Sequence, residues 1–132
     1  MDALYLADSE ATAWAEWFRY LAESGIPPQL RLPAYLWTWQ VRVEVANLQS
    51  LARLKRVGLP QPKPGRRTWP HFQAIGEALF TEGWSGLIAP SAARPKGRVL
   101  CLFRDGGLAG ATPVRPAQRI TTVPVPPTGM TT

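Results

Sequence analysis

Residues 83–104 read GWSGLIAPSAARPKGRVLCLFR, and this stretch decides the fold. Two apolar runs, 86–89 and 99–103, have the length and the bounding breakers of short buried strands. Pro90, Pro95 and Gly97 interrupt the chain between them, so the runs are joined by a turn. That turn carries a single hydroxyl, Ser91, at the end of the first run. Its backbone is fixed by the strand, and its side chain sits at a sheet edge, where ligands are often met. Read from local physics alone, Ser91 terminates a strand or caps a turn.

Working outward, 132 residues make one domain with enough chain for a hydrophobic core and little to spare. A formal charge of +6 with nine acidic residues makes polyanions, or small ligands carrying phosphates, the natural partners. The single cysteine, Cys101, lies inside an apolar run. It forms no internal disulfide, which suits a buried thiol in a reducing cytoplasm. The N-terminus, MDALYLADSE, has no basic region followed by a long apolar stretch, so it is not read as a signal peptide. No apolar run approaches the roughly 18 residues of a membrane helix.

Upstream, 4–7 is a short apolar run ending at Asp8-Ser9. Either residue can cap the amides of a following helix, and Glu10 complements its dipole. Ala13, Trp14, Trp17, Phe18 and Leu21 recur at helical spacing until Gly25-Ile26-Pro27-Pro28 stops the pattern. Glu16 lies near the edge of that buried face. Residues 35–46 alternate so regularly that they predict one long strand, with Tyr35, Trp37, Trp39, Val41, Val43 and Val45 packed on the core. Residues 58–70 hold four prolines and predict an exposed loop. Phe72, Ile75, Gly76, Leu79 and Phe80 mark a second amphipathic helix closing at Gly83. From Gly106 onward, Gly, Pro and Thr dominate without a period that would bury a face, which predicts an extended, partly disordered tail. The order predicts an α+β domain over 1–105, with a mixed, mainly antiparallel sheet and two main helices, followed by the tail 106–132.

Several chemistries lack their residues. One histidine and one cysteine do not make a metal cage, and neither a phosphate-binding glycine loop nor a dinucleotide fingerprint is present. A triad of Ser91, His71 and Asp105 has no support in the spacing. The basic residues fall mainly into three groups: Arg53, Lys55 and Arg56; Lys63, Arg66 and Arg67; Arg94, Lys96 and Arg98. The first two lack interleaved aromatics and read as a solvated face rather than a nucleic-acid surface. The third flanks Ser91 and can meet a phosphate.

Residues 69–103, WPHFQAIGEALFTEGWSGLIAPSAARPKGRVLCLF, show a helix with a central Gly, an apolar strand running into Pro-Ser, a Pro/Gly turn and a strand ending in Leu-Phe. This pattern resembles the second half of the RES domain, a family named for an arginine, a glutamate and a serine that includes bacterial NAD-degrading toxins. The early segment ALYLADSEATAWAEWFRYL is similar to the family's middle motif, an apolar strand with Tyr followed by a helix bearing Ala-Glu. On this match Tyr5 is the family tyrosine, Glu16 its glutamate and Ser91 its serine. Members begin with a further segment carrying the name-giving arginine. Met1 falls almost directly before the tyrosine strand, so the resemblance implies an N-terminally truncated member.

The resemblance implies a fold like that of ADP-ribosylating toxins, NAD as substrate and inorganic phosphate as a co-substrate, with no metal. Glu16 and Ser91 would be catalytic, and Tyr5, Arg94 and Arg98 would bind the substrate. Phosphate as acceptor gives phosphorolysis, water gives hydrolysis, and a protein side chain gives ADP-ribosylation. A toxin of this kind implies a protein antitoxin as partner, and an unpaired strand edge near Tyr5 would invite a homo-oligomer. The alternatives are a catalytically impaired RES-like binding module and, more remotely, a basic nucleic-acid-binding domain.

Overall fold

The protein is represented by a computed structural model that describes residues 3–49, 56, 69–103 and 110–130. Strand β1 (Ala3–Ala7) leads into helix α1 (Glu10–Glu23). A short 3-10 helix, Pro28–Arg31, precedes three short strands, β2 (Ala34–Leu36), β3 (Trp39–Val41) and β4 (Ala46–Asn47). Helix α2 (Trp69–Thr81), strands β5 (Gly86–Pro90) and β6 (Arg98–Phe103), and strands β7 (Ala111–Pro113) and β8 (Gln118–Ile120) complete the order. The architecture is α+β.

The two apolar runs of 83–104 form an antiparallel pair with Leu87 opposite Cys101 and Pro90 opposite Arg98. They are the middle of a four-stranded sheet ordered β1-β6-β5-β4. Among the described residues, only the β4–β5 pairing is parallel. Antiparallel β1 lies at the edge, with Tyr5 opposite Cys101. Side chains directly opposite each other share a face. Leu87, Ala89, Cys101 and Phe103 therefore project together, and with Ala46 and Leu48 they form the buried core against Phe72, Ile75 and Leu79 of α2. Phe80 meets Phe103 edge-on, with centroids 5.8 Å apart. Leu102, on the other face, is also fully buried.

Helix α1 starts where the caps predict. Ser9 has extended backbone and its hydroxyl accepts the Thr12 amide at 3.2 Å, with Glu10 in the first turn. It ends before Gly25, whose φ of +66° a side-chain-bearing residue would rarely adopt.

The single long strand expected over 35–46 is corrected to three separate strands with three different partners. β2 pairs with β8, β3 with β7, and β4 with β5. The burial phase explains the break. Tyr35 and Trp37 are exposed while Leu36 and Thr38 are half-buried; from Trp39 to Val45 the odd residues are the half-buried ones, and from Ala46 the even residues are buried again. The phase slips by one residue at Thr38–Trp39 and again at Val45–Ala46, and a slip of one sends every side chain to the opposite face. The aromatic ladder is therefore not a core stripe at its start, with Trp37 53% exposed.

The tail is extended and supplies two strands, β7 and β8, which pair back onto β3 and β2. The proline-rich loop expected over 58–70 lies outside the described residues except where α2 begins. Asp105 and most of the first two basic groups also lie outside them. Among the described residues, no helix is long and apolar enough to cross a membrane.

Candidate functional site

The turn joining β5 to β6 is closed by its own backbone. The Ser91 amide donates to the Gly97 carbonyl at 3.0 Å, and the Gly97 amide donates to the Arg94 carbonyl at 2.8 Å. The Arg94 amide donates to Ser91 Oγ at 3.0 Å. A serine hydroxyl has one proton to donate. That proton goes to Glu16 Oε1, 2.7 Å away and 75 positions distant in sequence. The length is that of a charge-assisted hydrogen bond. Ser91 is 1% exposed, so its hydroxyl is aimed inward at the carboxylate.

Helix α1 brings the other half. Thr12, Glu16 and Arg19, spaced by four and three, share one side of the helix. Arg19 donates to Glu16 Oε2 from Nη2 at 2.8 Å and from Nε at 3.1 Å. Arg19 also reaches Glu23 at 3.6 Å. Three donors thus orient the Glu16 carboxylate, which has about four acceptor positions. Among the described residues, one acceptor position has no partner.

Thr12 is fully buried and ties the helix to the turn. Its Oγ1 accepts the Ser9 hydroxyl at 3.1 Å and Arg94 Nη1 at 3.2 Å. Gly97 rests against it so closely that a Cβ there would overlap the Thr12 hydroxyl and lie 2.8 Å from its methyl carbon. Glycine is required by proximity. Arg94 Nε in turn donates to the Thr128 carbonyl at 2.9 Å, which places the C-terminal tail on the same guanidinium.

The five residues singled out in the sequence divide into two sets. Glu16, Ser91 and Arg94 come together. Arg98 stands at the base of the turn, but its Nη1 donates back to the Lys96 and Gly97 carbonyls at 3.1 and 3.2 Å. Its Nε is buried and has no partner among the described residues. Tyr5 projects from the sheet face that carries Cys101 and is 67% exposed. Desolvation raises its pKa above the ordinary tyrosine value, and the neighbouring Cys101 raises it further. Desolvation also raises the Cys101 thiol, while its contact with Tyr5 pulls the other way. Tyr5 is thus coupled to the thiol and has no hydrogen bond to Glu16 or Ser91.

A family profile for the RES domain matches residues 1–124, nearly the whole chain. The chain belongs to the RES domain family. Neither the curated proteins nor the solved structures gave a match. The RES match extends through β7 and β8, the two strands that fold back from the tail. Within this RES domain, the glutamate and serine that carry the sequence resemblance are the two side chains in direct contact.

Sequence reasoning missed Arg19, Thr12 and Thr128. The first had a signal, because a basic residue three positions after Glu16 lies on the same helix face. Thr12 and Gly97 had none, since their contact joins two distant segments. Thr128 acts through its carbonyl, which its side chain does not advertise.

Proposed function

We propose that this RES domain protein consumes NAD by cleaving the bond between nicotinamide and ribose. Breaking that bond develops positive charge on the sugar, as in glycoside hydrolysis. An anionic group held in place beforehand stabilises such charge without having to reorganise. Glu16 has that role: its carboxylate is gripped by Ser91 and Arg19 and, among the described residues, keeps one acceptor position. Ser91, being buried, orients Glu16 and does not touch the substrate. Arg94 supplies a cation on the same turn for the pyrophosphate or for an attacking phosphate.

With phosphate as acceptor, its oxygen forms the new bond to the ribose carbon and nicotinamide leaves with the electron pair of the broken bond. The products are nicotinamide and ADP-ribose phosphate. We assign this phosphorolysis to the toxin of a toxin–antitoxin pair acting in the cytoplasm, restrained by a protein antitoxin. The single observation that carries the reading is the 2.7 Å contact between Ser91 and Glu16 in a RES domain. The test is to incubate the protein with NAD, with and without phosphate, and separate the products. Nicotinamide release that rises with phosphate supports phosphorolysis. Release independent of phosphate supports hydrolysis, and no release overturns the reading.

A second reading is a RES domain that binds without turning over. It is favoured by the internal engagement of Glu16 and by the tail carbonyl held on Arg94. NAD binding without nicotinamide release would select it.

A further inference from the structure

A cleft of about 340 Å³ opens between α1 and β2, away from the Glu16–Ser91 contact. Its walls carry the rings of Trp14, Trp17, Tyr20 and Tyr35, and Arg31 stands at its border. At 100° per residue, Trp14, Trp17 and Leu21 lie on the side of α1 opposite Thr12, Glu16 and Arg19. This is a separate surface of the helix.

Two features distinguish the cleft from ordinary packing. The first is that its wall joins fixed rings, the buried Trp14 and the half-buried Trp17, to exposed ones. Trp17 meets Trp14 edge-on at 5.3 Å and Phe18 at 5.1 Å. Trp14 Nε1 donates to Glu10 Oε1 at 3.3 Å. Tyr20 and Tyr35 nonetheless remain 59% and 58% exposed. The second is Arg31. It has no acceptor or acid on it among the described residues; Arg119 shares that state, but of the two only Arg31 lines the cleft. Exposed tyrosine rings beside a half-buried tryptophan, with a guanidinium that has no acceptor among the described residues, are complementary to a flat aromatic group that carries an anion. The volume lies at the low end of the roughly 300–1,000 Å³ typical of small-molecule sites.

We infer that this cleft binds a nucleoside monophosphate, with its base against Trp17 and Tyr35 and its phosphate on Arg31. Every base has a π-face that stacks on aromatic side chains. A guanidinium is the natural partner of a phosphate. A cationic ring such as an oxidised nicotinamide would be repelled by Arg31, which favours the anionic ligand. The inference takes nothing from Glu16 or Ser91, so it does not rest on the proposed function.

The probe is AMP, titrated calorimetrically into the full chain, with adenosine as the uncharged comparison. Saturable AMP binding is expected, with adenosine weaker by about tenfold, the factor that 1.4 kcal/mol represents. Arg31→Ala should bring AMP down to the adenosine level and leave adenosine unchanged. Tyr35→Ala should weaken both ligands, and Tyr20→Ala, at an exposed helix position, gives a second reading should β2 be disturbed. Absence of saturable binding, or AMP affinity indifferent to Arg31→Ala, would overturn the inference. AMP binding by a chain that does not turn over NAD would leave it standing and remove the proposed function. NAD turnover with no AMP binding in the cleft would do the reverse.

Discussion

The Ser91 hydroxyl donates to the Glu16 carboxylate at 2.7 Å, joining the turn after β5 to the middle of α1. Neither residue is oriented by this bond alone. Ser91 is held by the amide of Arg94, and Glu16 by the guanidinium of Arg19. The contact is therefore the meeting point of two preorganised segments. This is what an electrostatic stabiliser requires, since a carboxylate already in position does not rearrange as charge develops.

Ser91→Ala removes a donor to a carboxylate and an acceptor for a backbone amide in one step. The loss expected is about 1.5–3 kcal/mol, the range for hydrogen bonds to charged groups. Urea unfolding measures it. A change within about 0.5 kcal/mol, as for a surface substitution, would contradict the contact.

Gly97→Ala places a methyl group where Thr12 already sits. Overpacking of this kind costs about 1–3 kcal/mol. Combining it with Thr12→Ala should recover part of that loss, because the two changes share one space and are not additive. Strict additivity in the double-mutant cycle would show that the helix and the turn do not touch there.

The raised pKa values of Tyr5 and Cys101 fix the sign of an alkaline effect. Desolvation at their mutual contact favours the protonated forms in the folded state, so the unfolded chain loses these protons first as pH rises. Stability from this pair is fully present below the unfolded-state values and declines from about pH 8.5 upward. Denaturation midpoints measured across that range should fall more steeply in the wild type than in Tyr5→Phe or Cys101→Ala. Parallel curves would sink the assignment.

Ending the chain at Ile120 removes the Thr128 carbonyl from Arg94 Nε and leaves the Thr12 hydroxyl on Nη1. The Arg94 Nε–H resonance should then exchange faster with water than in the full chain. An unchanged rate would mean that the tail does not hold the guanidinium in solution.

The central hairpin was legible because each strand is short, apolar and bounded by breakers, and the Ser9 cap and Gly25 stop were legible for equally local reasons. The break at Thr38–Trp39 was not. Tyr35 through Ala46 keep one alternating pattern in sequence, while their partners, β8, β7 and β5, come from distant segments that impose two phases. The tail looked patternless because β7 and β8 are three residues each, too short for a period. At the site, the pairing of Glu16 with Ser91 came only from the family resemblance; no local rule connects positions 75 apart. Tyr5 followed its register with Cys101 instead.

The most direct measurement is the rate of nicotinamide release from NAD by the wild type and by Glu16→Gln, an isosteric change that keeps the shape and removes the charge. The account predicts release by the wild type and a loss of about 100-fold or more in the variant, the scale of removing one preorganised electrostatic group, with the melting temperatures showing both proteins folded. A folded Glu16→Gln protein that releases nicotinamide at the wild-type rate, or a wild type that releases none, would contradict it.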